Sequence, residues 1–161
     1  MNENDLRHLR RCVDLAVTAL ERGEEPFGSV LAGADGASLA EDHNRVRENG
    51  DPTAHPEFAL ARWAAVNLSA GERAGATVYT SGEHCPMCSA AHAWAGIGRI
   101  VYASSAAQTA AWCAEIGLPP SPVRSLPVQE VAPGVAVEGP APEFADEMRA
   151  LHHRRVRDHR D

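Results

Sequence analysis

Apolar residues follow a helical period in the first twenty residues of the chain and strand-like patterns after that. The first segment places its apolar residues three or four positions apart and predicts a helix that ends at Gly23: Leu6, Leu9, Val13, Ala16, Val17 and Leu20. Residues 26–32 predict a strand, and Asp35-Gly36 is typical of a turn into a second strand over residues 38–42. The chain therefore opens with a helix followed by a β-hairpin.

The remainder of the chain alternates predicted helices with short predicted strands. Polar residues and the turn sequence Asn49-Gly50-Asp51-Pro52 indicate a loop over residues 43–53. The elements after it are a helix over 56–67, a strand over 77–80, a helix ending near 95, a strand over 99–102, a helix over 108–116, a last strand within 128–137 and a closing helix over 143–157. This order predicts a three-layer α/β/α sandwich with a mixed sheet.

Length and composition favour a single domain that spans residues 1–161. The 161 residues are 44% hydrophobic and 23% charged, which suffices for a core. Because no run of about 18 apolar residues and no leader-like N-terminus is present, we expect a soluble, cytoplasmic protein with no membrane partner. The net charge of -7 argues against broad nucleic-acid binding. All 15 basic residues are Arg, which excludes a Schiff-base lysine and a lysine-containing phosphate-binding loop.

Two short segments carry side chains suited to a metal centre. Cys85 and Cys88 are three residues apart at the start of a predicted helix, so both thiols face the same way. His55 adds an imidazole, and Glu57 adds a carboxylate two residues later. One His and two Cys form a zinc site with an open fourth position for water, and Glu57 is placed to act as a base toward that water.

Two other interpretations of the same residues remain open. A purely structural zinc site would need a fourth protein ligand, and His84 is the nearest candidate. A redox-active Cys-x-x-Cys at the start of a helix would resemble thioredoxin-like proteins, but that interpretation gives His55 and Glu57 no role.

A known sequence signature contains these residues. H-x-E followed by P-C-x-x-C is typical of zinc-dependent nucleobase deaminases, and here His84 stands in place of the signature's proline. From about residue 6 to residue 112 the chain resembles the cytidine-deaminase-like superfamily, in the branch of guanine deaminases and tRNA adenosine deaminases. Further segments support the resemblance: Pro26-Phe27-Gly28, His43-Asn44, 51–55, 79–81 and 99–103. The resemblance implies a five-stranded sheet with helices on both faces, a Zn²⁺ cofactor and a homodimer.

The resemblance also implies roles for individual residues. His55, Cys85 and Cys88 match the zinc ligands, and Glu57 matches the proton shuttle between water, ring nitrogen and leaving amine. The implied substrate contacts are the Asn44 side chain, the Ala54 backbone amide, and Phe27 and Trp94 as walls of the base pocket. Core packing is the alternative role for Phe27 and Trp94, and a turn is the alternative for Asn44. Gln108 falls near an acidic residue of guanine deaminases, which weakens the expectation of guanine as substrate.

The predicted activity is hydrolytic deamination of a small amino-purine or related heterocycle, as free base or nucleoside. One alternative is editing of adenosine in tRNA, for which the only basic stretch is the tail: Arg149, His152, His153, Arg154, Arg155, Arg157, His159 and Arg160. Another is a non-catalytic binding module stabilised by zinc, against which the intact Glu57 argues. The closing helix, 143–157, presents Phe144, Met148 and Leu151 on one face, which predicts that this face is buried. The resemblance implies that the segment could cross to a partner subunit and close its active site, and packing on its own subunit is the simpler alternative.

Overall fold

The computed structural model describes residues 1–157, which form one sheet covered by helices on both faces. The helices are α1 Glu3–Glu21, α2 Val46–Asn49, α3 Pro56–Asn67, α4 Ala70–Gly75, α5 Pro86–Ala95, α6 Ala106–Glu115, α7 Val128–Val131 and α8 Ala145–Arg157, with a 3-10 turn over Pro142–Phe144. The strands are β1 Gly28–Ala32, β2 Ser38–His43, β3 Thr77–Gly82, β4 Arg99–Ser104 and β5 Ala136–Glu138.

The sheet is mixed, with strand order β2-β1-β3-β4-β5. β1 pairs antiparallel with both β2 and β3, whereas β3, β4 and β5 are parallel to one another. The parallel strands require crossovers, which α5 provides between β3 and β4. The predicted hairpin and the five-stranded mixed sheet are therefore confirmed.

Each face of the sheet buries its own apolar cluster. One face packs against α1 and α8, whose Leu9, Val13 and Met148 are fully buried beside Val30 and Val101 of the sheet. The opposite face packs against α3 and α5, with Leu60, Ala64 and Ile97 around Leu31 and Val78. Helices on both faces confirm the three-layer α/β/α class.

Several local predictions differ from the structure. The loop predicted over residues 43–53 contains the short helix α2, and α4 had no predicted counterpart although Ser69 and Glu72 form a capping box at its start. The last strand was placed too broadly: only Ala136–Glu138 is a strand, and Val128 begins the helix α7. A short apolar segment after a proline fits either a buried strand or a buried helix turn, and only tertiary contacts decide between them.

The closing helix packs on its own chain. Phe144, Met148 and Leu151 are 7%, 0% and 4% exposed and join the core cluster that contains Leu9 and Val13 of α1. The apolar stripe predicted for this helix is thus buried within the same subunit. Within residues 1–157, no helix is both long and apolar enough to cross a bilayer.

The described part of the basic tail contacts the rest of the chain. His152 is fully buried against Phe27 and Trp112, with ring centroids 5.3 and 5.8 Å away. Arg149 and His153 both contact Glu115, and Arg155 pairs with Glu25. Two further tail residues, His159 and Arg160, lie outside the described part of the chain. Most of the described basic side chains are therefore paired with acidic groups of this chain.

Candidate active site

Two helix N-termini converge beside the end of β3 and bring the metal-ligating side chains together. His55 is the N-cap of α3 and Cys85 is the N-cap of α5, each followed by a proline at the first helical position. Proline suits that position because its fixed φ is helical and no amide hydrogen bond is lost. Cys88 lies in the first turn of α5 and is fully buried.

The three ligand atoms have the spacing of a tetrahedral zinc site. Nδ1 of His55 lies 3.6 Å from Sγ of Cys85 and 3.6 Å from Sγ of Cys88, and all three atoms lie within 4.8 Å of one another. Tetrahedral zinc with ordinary bond lengths to nitrogen and sulfur gives edges of about 3.5 Å. Zinc therefore fits between these residues without rearrangement of the backbone.

The three ligand side chains also shift one another's pKa values. The pKa of Cys85 is lowered to about 4, first by the hydrogen bond from the Cys88 thiol and then by the His55 imidazole. The hydrogen bond with Cys85 raises the pKa of His55 to about 9. The Cys85 thiolate and burial raise the pKa of Cys88. A cation bound among the three side chains would replace those protons.

Glu57 is a buried carboxylate next to the ligands. It is 5% exposed in the first turn of α3, with Oε2 3.9 Å from Sγ of Cys88. Burial raises its pKa to about 7. The Thr80 hydroxyl accepts from the Ser29 hydroxyl at 2.9 Å and has two acceptors for its own proton, Oε1 of Glu57 and the Gly82 carbonyl oxygen, each at 2.9 Å. Glu57 is thus a carboxyl group that can hold or release a proton near neutral pH, in an orientation fixed by a buried hydroxyl pair.

The residues implied as substrate contacts lie in different environments. Asn44 is 1% exposed, and its Oδ1 accepts from the Val46 amide at 3.2 Å, which is the turn role that its sequence also allowed. The Ala54 amide donates to the Asp51 carbonyl at 3.0 Å, so it is already paired. Phe27 is half-buried, and its ring packs against Gly82 and His152.

The structure does not bring Trp94 or the end of the Gln108 side chain to the metal cluster. Trp94 is 91% exposed, on the side of α5 that adjoins residues 131–135. Gln108 accepts from the Ser105 amide at 2.8 Å and so caps its own helix, α6. Neither side chain contacts the ligand cluster within the described chain, because Trp94 points to solvent and Gln108 is engaged in a helix cap.

Some residues around the cluster were missed by the sequence interpretation. Thr80 and Ser29 were assigned only to strands, although hydroxyl side chains on buried strand faces signal a polar partner. Glu83, two residues before Cys85, accepts hydrogen bonds from two backbone amides. His84 is fully buried, with its ring 5.3 Å from that of His92. Within residues 1–157 the ligand cluster does not include His84, which removes the proposed fourth ligand of a structural zinc site.

Comparison with known proteins gives the family. Residues 2–104 match the cytidine and deoxycytidylate deaminase zinc-binding region. The chain is 41% identical over 97 residues to guanine deaminase from Bacillus subtilis, covering 60% of this chain and 62% of that protein. It is 44% identical over 87 residues to the tRNA-specific adenosine deaminase of Agrobacterium fabrum, covering 54% and 57% respectively. These matches therefore span less than two thirds of either curated relative.

Solved structures extend the likeness to almost the whole chain. The crystal structure of guanine deaminase from Bacillus subtilis superposes with a TM-score of 0.59 at 30% identity and covers 93% of both chains. A structure from a study of A-to-I editing by tRNA:A34 deaminases gives a TM-score of 0.55 at 39% identity, covering 62% of this chain and 76% of that one. The zinc expected from the sequence agrees with the matched region and with the ligand cluster. The chain therefore belongs to the cytidine and deoxycytidylate deaminase zinc-binding family.

Proposed function

We propose that this protein is a zinc-dependent hydrolytic deaminase of a small amino-purine or related nitrogen heterocycle, as free base or nucleoside. The observation that carries the proposal is the buried Glu57 carboxyl group within 3.9 Å of a ligand in the His55, Cys85 and Cys88 cluster. A structural metal site has no need of a buried acid beside it, because burial of an unpaired carboxylate is costly.

The proposed mechanism assigns proton transfer to Glu57. Bound zinc supplies an electrophilic centre that makes water more acidic. Glu57 accepts a proton as water adds to the ring carbon that bears the amino group, and it passes that proton to the ring nitrogen. It then accepts the proton of the newly formed hydroxyl group and passes it to the amino group. The C–N bond then breaks, ammonia leaves and a carbonyl remains. A carboxyl group with a pKa of about 7 suits both the accepting and the donating steps.

Substrate binding is proposed for Asn44 and Phe27. The Asn44 carbonyl is engaged with Val46, so its NH₂ group would donate to acceptor atoms on the heterocycle. Phe27 would contact the ring of the base with its face. The Ala54 amide and the Gln108 side chain could contact substrate only after their present hydrogen bonds break. Trp94 could line a pocket only if a second subunit packed against it.

A second candidate function is tRNA adenosine-to-inosine deamination, and the observation that favours it is the likeness to tRNA adenosine deaminases. RNA binding requires free basic groups for the phosphates. In this chain Arg149 and His153 contact Glu115, and Arg155 contacts Glu25. The net charge of -7 also opposes RNA binding. We therefore rank the small-molecule substrate first.

A homodimer is also proposed. α3 and α5 pack together and expose Val66 and Trp94, which are 84% and 91% exposed, with Trp63 at 36%. Large exposed apolar side chains are enriched at protein interfaces, so these positions are where we propose contact with a second copy of the chain. The C-terminal helix packs in the core of its own chain, so the proposed dimer does not include an exchange of that helix between subunits.

The experiment that tests the proposed function is ammonia release by the zinc-loaded protein. The panel comprises amino-purines, pterins, triazines and cytosines, their nucleosides, and an RNA hairpin with an unpaired adenosine. We expect turnover of at least one amino-purine or related heterocycle and none of the hairpin. Turnover of the hairpin alone would favour the tRNA function, and no turnover of any compound by fully zinc-loaded protein would contradict both.

A further inference from the structure

A carboxylate outside the ligand set ties the metal-binding loop to two other helices. Glu83 lies in the short connection between β3, which ends at Gly82, and α5, which begins after Cys85. Its Oε2 accepts from the Ala106 amide at 2.8 Å, and its Oε1 accepts from the Val128 amide at 2.9 Å. Both carboxylate oxygens are thus used on backbone amides that are distant in sequence.

Those two amides are the first of α6 and of α7. Ser105 caps α6 through the Gln108 amide and leaves the Ala106 amide without a partner in its own helix. Pro127, the N-cap of α7, makes no side-chain cap hydrogen bond, so Val128 also needs an acceptor from elsewhere. One negative charge at two helix N-termini is favourable for both.

The connection has other contacts as well, since Ser89 of α5 donates its hydroxyl to the His84 carbonyl at 3.3 Å and its amide to the Cys85 carbonyl at 2.8 Å. The Glu83 amide donates to the Ser104 carbonyl at 2.8 Å, and the buried His84 ring packs on His92 of α5. Cys85 is the next residue, and as the N-cap it lies before α5, whereas Cys88 lies inside that helix. A shift of the Glu83 side chain would therefore move the backbone that carries Cys85.

We infer that Glu83 is a positioning residue for the metal centre: its carboxylate holds the Cys85 backbone against α6 and α7, and thereby slows the loss of zinc. The inference concerns zinc retention rather than the substrate, so it is independent of the reaction proposed above. Groups that orient metal ligands through one further contact change metal affinity by about 10- to 100-fold when they are replaced.

The test is the rate of zinc transfer from the folded protein to a coloured chelator at neutral pH. Glu83→Gln keeps the side-chain volume but sets an NH₂ group against one of the two amides, and we expect zinc release about 10-fold faster or more. Ser105→Ala is the matched control, since it weakens the start of α6 and leaves the carboxylate in place. Its zinc should leave at the wild-type rate.

Ala106→Pro keeps the Glu83 side chain but removes one of its two donors, and the proline ring also displaces the carboxylate oxygen that accepted from that amide. Proline is tolerated at the first position of a helix, and Ser105 already has the extended backbone that must precede it. We expect a smaller acceleration of zinc release than in Glu83→Gln, and this variant alone decides the question if Glu83→Gln does not fold. Amide exchange of Val128 in metal-free protein should also be faster in Glu83→Gln. Wild-type zinc release in Ala106→Pro and in any folded Glu83→Gln, or equal acceleration in Ser105→Ala, would overturn the inference.

Discussion

The metal centre and the C-terminal segment after residue 104 contribute to this protein in different ways. The ligands and Glu57 lie within residues 55–88, inside the region that matches the deaminase family. The C-terminal segment lies outside that match, yet it supplies Trp112, Phe144 and Met148 to the main core. The proposed chemistry thus lies in the first part of the chain, whereas the C-terminal segment completes a core that the first part begins. Substitutions at the ligands and in the C-terminal segment should therefore have separable effects.

The largest expected effect is at a metal ligand. Cys85→Ser should lose zinc and with it all measurable ammonia release, because a serine hydroxyl is a poor replacement for a thiolate. The matched control is Cys113→Ser, which replaces a half-buried cysteine of α6 and should keep one zinc per chain. Elemental analysis of both purified variants checks this. Retention of zinc by Cys85→Ser would mean that another residue completes the site.

Substitutions in the C-terminal segment should change the free energy of unfolding rather than the zinc content. Met148→Ala removes a fully buried side chain and should lower the free energy of unfolding by about 2–5 kcal/mol. Arg149→Ala removes only an exposed ion pair with Glu115 and should cost less than about 1 kcal/mol. Denaturant unfolding measures both. Loss of zinc from folded Met148→Ala would show that the two regions are coupled.

An ion pair between Asp5 of α1 and the partly exposed Arg99 of β4 gives a pH dependence of stability. Asp5 is 2% exposed and bonds to Arg99 and Tyr79. Burial opposes its ionisation, but hydrogen bonds from Arg99, the Asn2 backbone and Tyr79 lower its pKa from 3.8 to about 2. Ionised Asp5 therefore stabilises the folded state above pH 3.8, and this stabilisation is lost as the pH falls toward 2. The free energy of unfolding of the wild type should exceed that of Asp5→Asn by about 2 kcal/mol near neutral pH, and the difference should shrink as the pH falls from 3.8 toward 2. A pH-independent difference would contradict this.

The smallest expected effect comes from a substitution at Thr80, which tests whether its hydroxyl orients the Glu57 carboxyl group. Thr80→Val removes the hydroxyl that donates to Glu57 but keeps the side-chain shape. We expect kcat to fall about 10-fold, as for loss of one hydrogen bond to a charged acceptor, with KM and zinc content unchanged. Thr80→Ser should restore the rate. An unchanged kcat in Thr80→Val would mean that the hydroxyl does not orient the carboxyl group.

The same division explains what the sequence could predict. His55, Glu57, Cys85 and Cys88 form spaced motifs at helix starts, so local sequence indicates both their identity and their approach. The sheet class also followed from periodicity. By contrast, the helical α7 and the pairing of the basic tail depend on contacts such as Val128 with Glu83 and Arg155 with Glu25, which no local pattern contains. The pocket roles of Trp94 and Gln108 rest on the family resemblance alone, and the exposure of Trp94 and the capping role of Gln108 depend on the fold.

The central claim is that Glu57 performs proton transfer beside bound zinc. Glu57→Gln keeps the side-chain volume and the Thr80 contact, so the variant should fold and hold one zinc per chain. Its turnover of the best substrate should fall about 100-fold or more, the scale of general acid–base catalysis. Zinc content and ammonia release measured on the same sample test the claim directly. Wild-type turnover in fully zinc-loaded Glu57→Gln would contradict it.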